Sequence, residues 1–263
     1  SWTQAEANSV KLGGHLTTVG DAGENSFLQT FNNNQNNGAT NWKWIGLNDK
    51  DIENQFRWIS GETSSYRPAN WAPDDNKGFD SPQGQDYVAI QFYGAAYSGA
   101  WDDKGEPPYH SNQGIAESPF IRRGDSAYVI VQGPTWEEAE ANAVKLGGHL
   151  VTINDAAENE WIRTNYSSTN SSVWIGFNDK AKEGTWVWSS GDSVAFTSWN
   201  SGEPDGQSNY KSTENAAHLV LTGGIAGKWQ DIPNNSSLVG LAEIKLAPNN
   251  KPTGTPSVTG TLK

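Results

Sequence analysis

The chain repeats itself, and that constrains its fold more than any other feature of the sequence. SWTQAEANSVKLGGHLTTV (Ser1 to Val19) returns as TWEEAEANAVKLGGHLVTI (Thr135 to Ile153), and WIGLNDK (Trp44 to Lys50) returns as WIGFNDK (Trp174 to Lys180). RWISGE around Trp58 matches VWSSGD around Trp188, and GAWDD (Gly99 to Asp103) matches GKWQD (Gly227 to Asp231). The order is kept while the offset drifts from 134 (Trp2 to Trp136) to 128 (Trp101 to Trp229), as loop deletions between two copies require. A unit of about 120–130 residues is far longer than a solenoid repeat, so the chain is a duplicated globular domain.

Each copy has the same internal grammar. Ser1 with Gln4, and Thr135 with Glu138, form the S/T-x-x-E/Q pattern that opens a helix. Trp136, Ala139, Ala143, Val144 and Leu146 follow at helical spacing, and Gly147-Gly148 ends the helix. Asp21 with Glu24, and Asp155 with Glu158, open a second short helix. The pattern then changes to short strands, VWIGF, TWVWS, AAHLVL and LAEIKL, divided by Gly, Asn, Asp and Ser turns. Helices followed by a run of strands predict an α+β domain. YVIVQ (Tyr128 to Gln132) precedes the first helix of copy two as an extra strand; in copy one that strand is lost or supplied by another segment. The expected boundaries are 1–122 for the first domain, 123–247 for the second, and 248–263 as a Pro-, Thr- and Gly-rich linker to a further domain.

A formal net charge of -12 argues against nucleic acid, whose phosphates demand Lys and Arg, and suits solubility or cation binding. No run approaches the roughly 20 apolar residues needed to cross a bilayer, which excludes membrane insertion through a helix. The chain opens directly in a helix pattern and contains no Met, as an excised mature segment would. Zero Cys removes disulfides, thiolate metal sites and Cys nucleophiles together. Isolated histidines give no zinc spacing: His15 and His149 sit at helix ends as structural groups, and His110 and His218 stand alone. Arg123-Gly124-Asp125 reads as part of the connection between copies.

The acids are the chemically suggestive residues. WNSGEPDGQ (Trp199 to Gln207) sets Glu203 and Asp205 on either side of Pro204, and further acids follow in STEN and KWQD. By itself such a stretch is a solvated turn. The ordered set W-x-x-A-x-x-x-A-x-x-x-G-G-H-L, W-I-G-x-N-D, W-x-W-x-S-G, W-N-x-G-E-P-D, Glu-Asn and G-x-W-x-D resembles the C-type lectin-like domain family and spans both copies. Ala216 and Tyr87 occupy the position of a family disulfide cysteine, so cysteine-free bacterial members are the closer comparison and stability falls to packing of Trp174, Trp186 and Trp188.

The resemblance implies two tandem α+β domains, each with two helices and a curled antiparallel sheet with long loops. It also implies a Ca2+ site from Glu203, Asp205, Glu214, Gln230 and Asp231, the same residues meeting a sugar diol. Calcium takes about 6–8 hard oxygen ligands, so several segments must converge. Gln230 replaces the family Asn with a longer amide. Glu-Pro-Asp is a hybrid of the family's mannose-type and galactose-type tripeptides and assigns no sugar. In copy one, WAPDDNKG lacks the Glu before Pro73, and a second candidate metal set is Asp74, Asp75, Asp86, Asp102 and Asp103. The asparagine–aspartate pairs Asn48-Asp49 and Asn178-Asp179 read first as turns.

The expected function is calcium-dependent carbohydrate binding, as a lectin or adhesin module of a larger extracellular or cell-surface protein, with glycans and neighbouring domains of the same polypeptide as partners. The alternative is a protein-binding or structural spacer that kept the fold without sugar binding. A glycoside hydrolase built on Glu203 with Asp205 or Glu214 would need a deep cleft that these short loops do not suggest, so no enzyme is expected.

Overall fold

A computed structural model of the chain describes residues 1–33, 42–52, 54–68, 85–92, 99–105, 113–206, 214–246 and 259–262. Its residues form two compact units. Unit 1 holds Ser1–Val10, Gly14–Ser118 and Thr261–Lys263; unit 2 holds Lys11–Gly13 and Pro119–Gly260.

Unit 1 opens with α1 (Trp2–Lys11), β1 (His15–Leu16) and α2 (Ala22–Asn33). Its sheet is ordered β3 (Arg57–Trp58), β2 (Trp42–Asn48), β4 (Tyr87–Gln91), β5 (Trp101–Lys104), with β6 (Gln113–Gly114) beside β2. β1 pairs antiparallel with the start of β7 (Ala116–Arg123), Leu16 opposite Ala116. Unit 2 has β8 (Ser126–Val131), α3 (Trp136–Lys145), β9 (His149–Leu150) and α4 (Ala156–Tyr166). Its remaining strands are β10 (Ser172–Asn178), β11 (Val187–Trp188), β12 (Ala216–Val220), β13 (Trp229–Ile232) and β14 (Gly240–Lys245), paired in the order β8-β14-β10-β12-β13. The expected α+β class and both helices of each copy are present.

Local chemistry explains the starts of the helices. The Thr135 side chain accepts from the Glu138 amide and the Asp155 side chain from the Glu158 amide. Ser1 and Asp21 do the same for Gln4 and Glu24 in unit 1. Gly147 follows α3 at φ +85°, the left-handed conformation that ends helices at little cost to glycine. Each first helix is then nailed to the central strand by one indole: Trp2 Nε1 donates to Ile45 O and Trp136 Nε1 to Ile175 O, both at 2.8 Å. His15 and His149 are structural, each Nδ1 lying 2.6 Å from a carboxylate oxygen of Glu6 or Glu140. Those same glutamates accept the Leu16 and Leu150 amides.

Two segments differ from expectation. β7 is a strand although Pro119 and charged residues interrupt its apolar pattern; Arg123 pairs opposite Ser126, making Gly124-Asp125 the tip of a hairpin. Within the stretch read as linker, β15 (Thr259–Leu262) pairs with β7. A strand edge offers unpaired amides and carbonyls to any extended segment, and Thr-Gly-Thr-Leu can answer them. Of TWVWS, the strand itself is Val187–Trp188.

The positions where the resemblance would put a cysteine are filled differently in the two cores, by Tyr87 in one and Ala216 in the other. Tyr87 stacks on Trp2 at 4.8 Å and meets Trp44 edge-on at 6.5 Å. In unit 2, Ala216 is fully buried and His218 meets Trp174 edge-on at 6.5 Å. Phe177, Trp188 and Trp229 centre the main cluster, with Trp186 and Trp199 packed at its margin.

Candidate metal centre

The site in unit 2 is assembled by β13 and the turn that meets its start. Trp199 forms a bridge to Trp229; the Trp229 amide donates to Ser198 O and the Asn200 amide to Trp229 O, each at 2.8 Å. The turn then closes with the Glu203 amide on Asn200 O at 3.1 Å, and the Glu203–Pro204 bond is cis. Trp229 is fully buried and fixes the strand in depth: its Nε1 donates to Asn159 Oδ1 of α4 at 2.8 Å, while Asn159 Nδ2 donates to Gly227 O at 2.8 Å.

On this frame the acids converge. Ligand oxygens of Glu203, Asp205 and Asp231 all lie within 4.8 Å of one another. Asp231 is 2% exposed, and its two oxygens accept the amides of Asp205 (3.2 Å) and Gly206 (2.9 Å), locking the turn to the strand. Gln230 Nε2 donates to Glu203 Oε1 at 3.0 Å. Glu203 Oε2 is buried with no donor. Glu214, just before β12, lies near enough to Asp231, Asp205 and Glu203 for their charges to act on its carboxyl.

The electrostatics follow from the geometry. Burial, then the adjacent Asp231 carboxyl, pushes the Glu203 carboxyl up to about 7. Burial, then the charge of Asp231 and contact with Asp205, does the same to Glu214, also to about 7. Like charges crowded in a partly dry site resist ionising together unless a cation joins them. A buried acceptor lacking a donor, several converging carboxylate oxygens and a neighbouring amide make a hard-oxygen donor set of the kind a divalent cation takes. Of the five residues singled out in sequence, Glu203, Asp205 and Asp231 converge, Gln230 donates its amide to Glu203, and Glu214 feels the charges of all three acids.

A family model described as "Lectin C-type domain" matches residues 1–105 and 132–239. The chain belongs to the C-type lectin domain family. It is 26% identical over 265 residues to C-type mannose receptor 2 of Homo sapiens, an alignment covering 92% of this chain and 17% of the receptor. It is 37% identical over 108 residues to an alpha-N-acetylgalactosamine-specific lectin of Patiria pectinifera, covering 38% of this chain and 62% of that lectin. The chain thus spans less than two thirds of the length of either relative. Among solved structures it is similar to the human scavenger receptor C-type lectin carbohydrate-recognition domain, at 27% identity and TM-score 0.43, covering 48% of this chain and 95% of that one. C-type lectin CEL-I from Cucumaria echinata matches at 26% identity and TM-score 0.43, over 49% of this chain and 96% of its own.

In the first lectin domain the second candidate set is placed in part. Asp74 and Asp75 lie outside the described residues. Asp86 precedes β4 and gives its carbonyl to the Asp49 amide at 3.1 Å. Asp102 and Asp103, on β5, are each 5% exposed, and Lys104 forms an ion pair with Asp102. Among the described residues, the group of three acids that converges is the one in the second lectin domain.

The sequence reading missed Asn159. Its equivalent Asn25 holds Trp101 Nε1 at 2.8 Å, and the shared Glu-Asn dipeptide of the second helices (Glu24-Asn25, Glu158-Asn159) is the signal that marks both. The Asn178-Asp179 pair is a turn clamp, as read: Asn178 Nδ2 donates to Gly176 O, and Asp179 Oδ2 accepts the Gly184 amide at 2.8 Å.

Proposed function

We propose that this chain is a calcium-dependent carbohydrate-binding module whose working site lies in unit 2. The observation that carries the reading is the convergence of Glu203, Asp205 and Asp231 within 4.8 Å, with Glu214 and Gln230 against them. Glu203, Asp205, Glu214 and Asp231 would hold the ion through carboxylate oxygens, and Gln230 through its amide oxygen while its Nε2 donates to Glu203. Calcium bound there supplies neutralising charge and open coordination for two vicinal hydroxyls of a sugar. The chain's own residues orient that sugar: carboxylates accept its hydroxyl protons and the Gln230 amide donates. Two backbone amides hold the Asp231 carboxylate to the turn.

Support comes also from relatives named as a mannose receptor and as an N-acetylgalactosamine-specific lectin. Those names differ in sugar, and the Glu-Pro-Asp tripeptide favours neither. A binding module needs no acid–base pair, and on this reading the converging acids serve the cation. The setting that suits the reading is an extracellular or cell-surface adhesin with other domains in the same polypeptide. The relatives named above come from animals, whereas the lack of cysteine suits a bacterial-type member. Among the described residues, no helix is long and apolar enough to cross a membrane.

The test is a glycan array probed with the wild-type chain in calcium and again in chelator, beside Glu203→Gln/Glu214→Gln. Expected is a calcium-dependent signal that the double variant loses while its circular dichroism stays unchanged. Binding that persists in chelator would sink the calcium bridge, and silence in both conditions would favour the spacer reading.

A further inference from the structure

One strand edge in unit 1 is built like an edge that unit 2 covers. β7 and β14 hold the same place in the two copies: His15 lies opposite Glu117 and Leu16 opposite Ala116, as His149 lies opposite Glu243 and Leu150 opposite Ala242. Ile115 is tied on that side too, its amide to Trp44 O at 3.0 Å and its carbonyl to the Thr17 amide at 2.8 Å. Strand alternation turns the amides and carbonyls of Gly114, Ala116 and Ser118 to the opposite side. In unit 2 the opposite side of β14 is covered by β8, from Gly240 facing Val131 to Lys245 facing Ser126. β8 meets β7 nearer the hairpin, at Ile121, Arg122 and Arg123. The surroundings repeat the comparison. A Cβ on Gly240 would meet Leu150 Cδ2 at 2.5 Å, Ala139 Cβ at 2.8 Å and Val131 Cγ2 of β8 at 3.1 Å. On Gly114 it would meet Leu16 Cδ2 at 2.5 Å and Ala5 Cβ at 2.8 Å, and the next described atom is Ala5 Cα at 3.8 Å. Trp161 of α4 packs on Tyr128 of β8 with ring centroids 4.8 Å apart, whereas Phe27, its equivalent on α2, is 52% exposed.

We infer that this edge of β7 is a strand-acceptor site for an extended peptide, and that its occupant is the chain's own segment Thr259–Leu262, standing on β7 where β8 stands on β14. β15 pairs with β7, and Thr261–Lys263 group with unit 1. Backbone amides and carbonyls along a strand edge demand partners, and an added strand supplies them through its main chain whatever its side chains. Thr-Gly-Thr-Leu can therefore do for unit 1 what Ser-Ala-Tyr-Val-Ile-Val does for unit 2. The extra strand that copy two carries ahead of its first helix is supplied to copy one by the tail. Residues 259–262 then belong to the fold of the first lectin domain and are not spacer. A site that reads main chain is tolerant of sequence, so a free peptide of the same segment competes for it. Neither the acids of unit 2 nor a cation enters this inference.

The experiment is hydrogen exchange read by mass spectrometry on the full chain, wild type beside Gly260→Pro/Thr261→Pro. Two adjacent prolines remove the ladder donor whichever of the two residues faces β7. The fragment covering Gly114–Ser118 should exchange slowly in wild type and about tenfold faster in the double variant, while β14 keeps its rate. A synthetic peptide of residues 255–263, added at millimolar concentration to the double variant, should restore the slow rate. The single variants serve if the pair unfolds unit 1. The one whose N–H faces β7 should speed exchange and the other should not, since an edge strand tolerates proline on its outer side. The inference is overturned if the double variant leaves the Gly114–Ser118 rate unaltered, if the peptide restores nothing, or if the two single variants act alike. Wild-type protection that falls on dilution, with a dimer in sedimentation, overturns it as well, because the strand then comes from a second copy.

Discussion

Asp231 and Glu203 sit in one cluster but carry different burdens. Both oxygens of Asp231 hold backbone amides of the turn, whereas Glu203 has a buried oxygen with no donor and a neighbour of like charge. In metal-free protein, Asp231→Asn should therefore lower the melting temperature, while Glu203→Gln should raise it at pH 8 by removing repulsion; scanning calorimetry in chelator separates the two. The pH dependence has a definite sign. Glu203 and Glu214 have folded pKa values raised to about 7, so their stabilising protonation is complete below about 4.5, the unfolded value, and is lost as pH rises through about 7. Calcium must displace those protons, so its affinity should climb between pH 6 and 8 by isothermal titration. His218, buried and pushed down to about 4, works the other way: its contribution is present above the ordinary value of 6.5 and is lost as pH falls toward 4.

Elements are held to one another by a few polar anchors inside aromatic cores. Asn159→Ala would orphan the buried Trp229 Nε1 and the Gly227 carbonyl together. The expected cost is about 1–3 kcal/mol in urea unfolding, with a weaker calcium response because β13 loses its depth reference. Gly176 is a second anchor of a different kind. A Cβ there would lie 2.6 Å from Leu150 O and 2.8 Å from Ser189 Oγ, so the central strand passes too close to β9 for any side chain. Gly176→Ala should destabilise unit 2 by about 1–3 kcal/mol, read from the same denaturant curves.

For the whole molecule, duplication with divergence is the governing fact. Two compact units with separate cores should unfold as two resolvable calorimetric transitions. Calcium should move one of them, by up to about 2.7 kcal/mol at a hundredfold excess over Kd, since a ligand stabilises only the unit that binds it. Both transitions moving together would speak for a second site in unit 1.

The sequence by itself determined the duplication, the α+β class, the helix caps, the family, and the shortlist of acids. These are local or repeated signals: capping residues act within a turn, and two copies of one motif reveal each other. Only the tertiary structure decided which side chains meet. Asn159 reaches Trp229 across 70 positions, β7 forms through pairing that Pro119 disguises, and Lys104 turns onto Asp102 and Trp42. Glu203, Asp205 and Asp231 converge because the strand brings amide-locked Asp231 to the proline turn. Charge repulsion and burial depend on distances that no linear pattern contains.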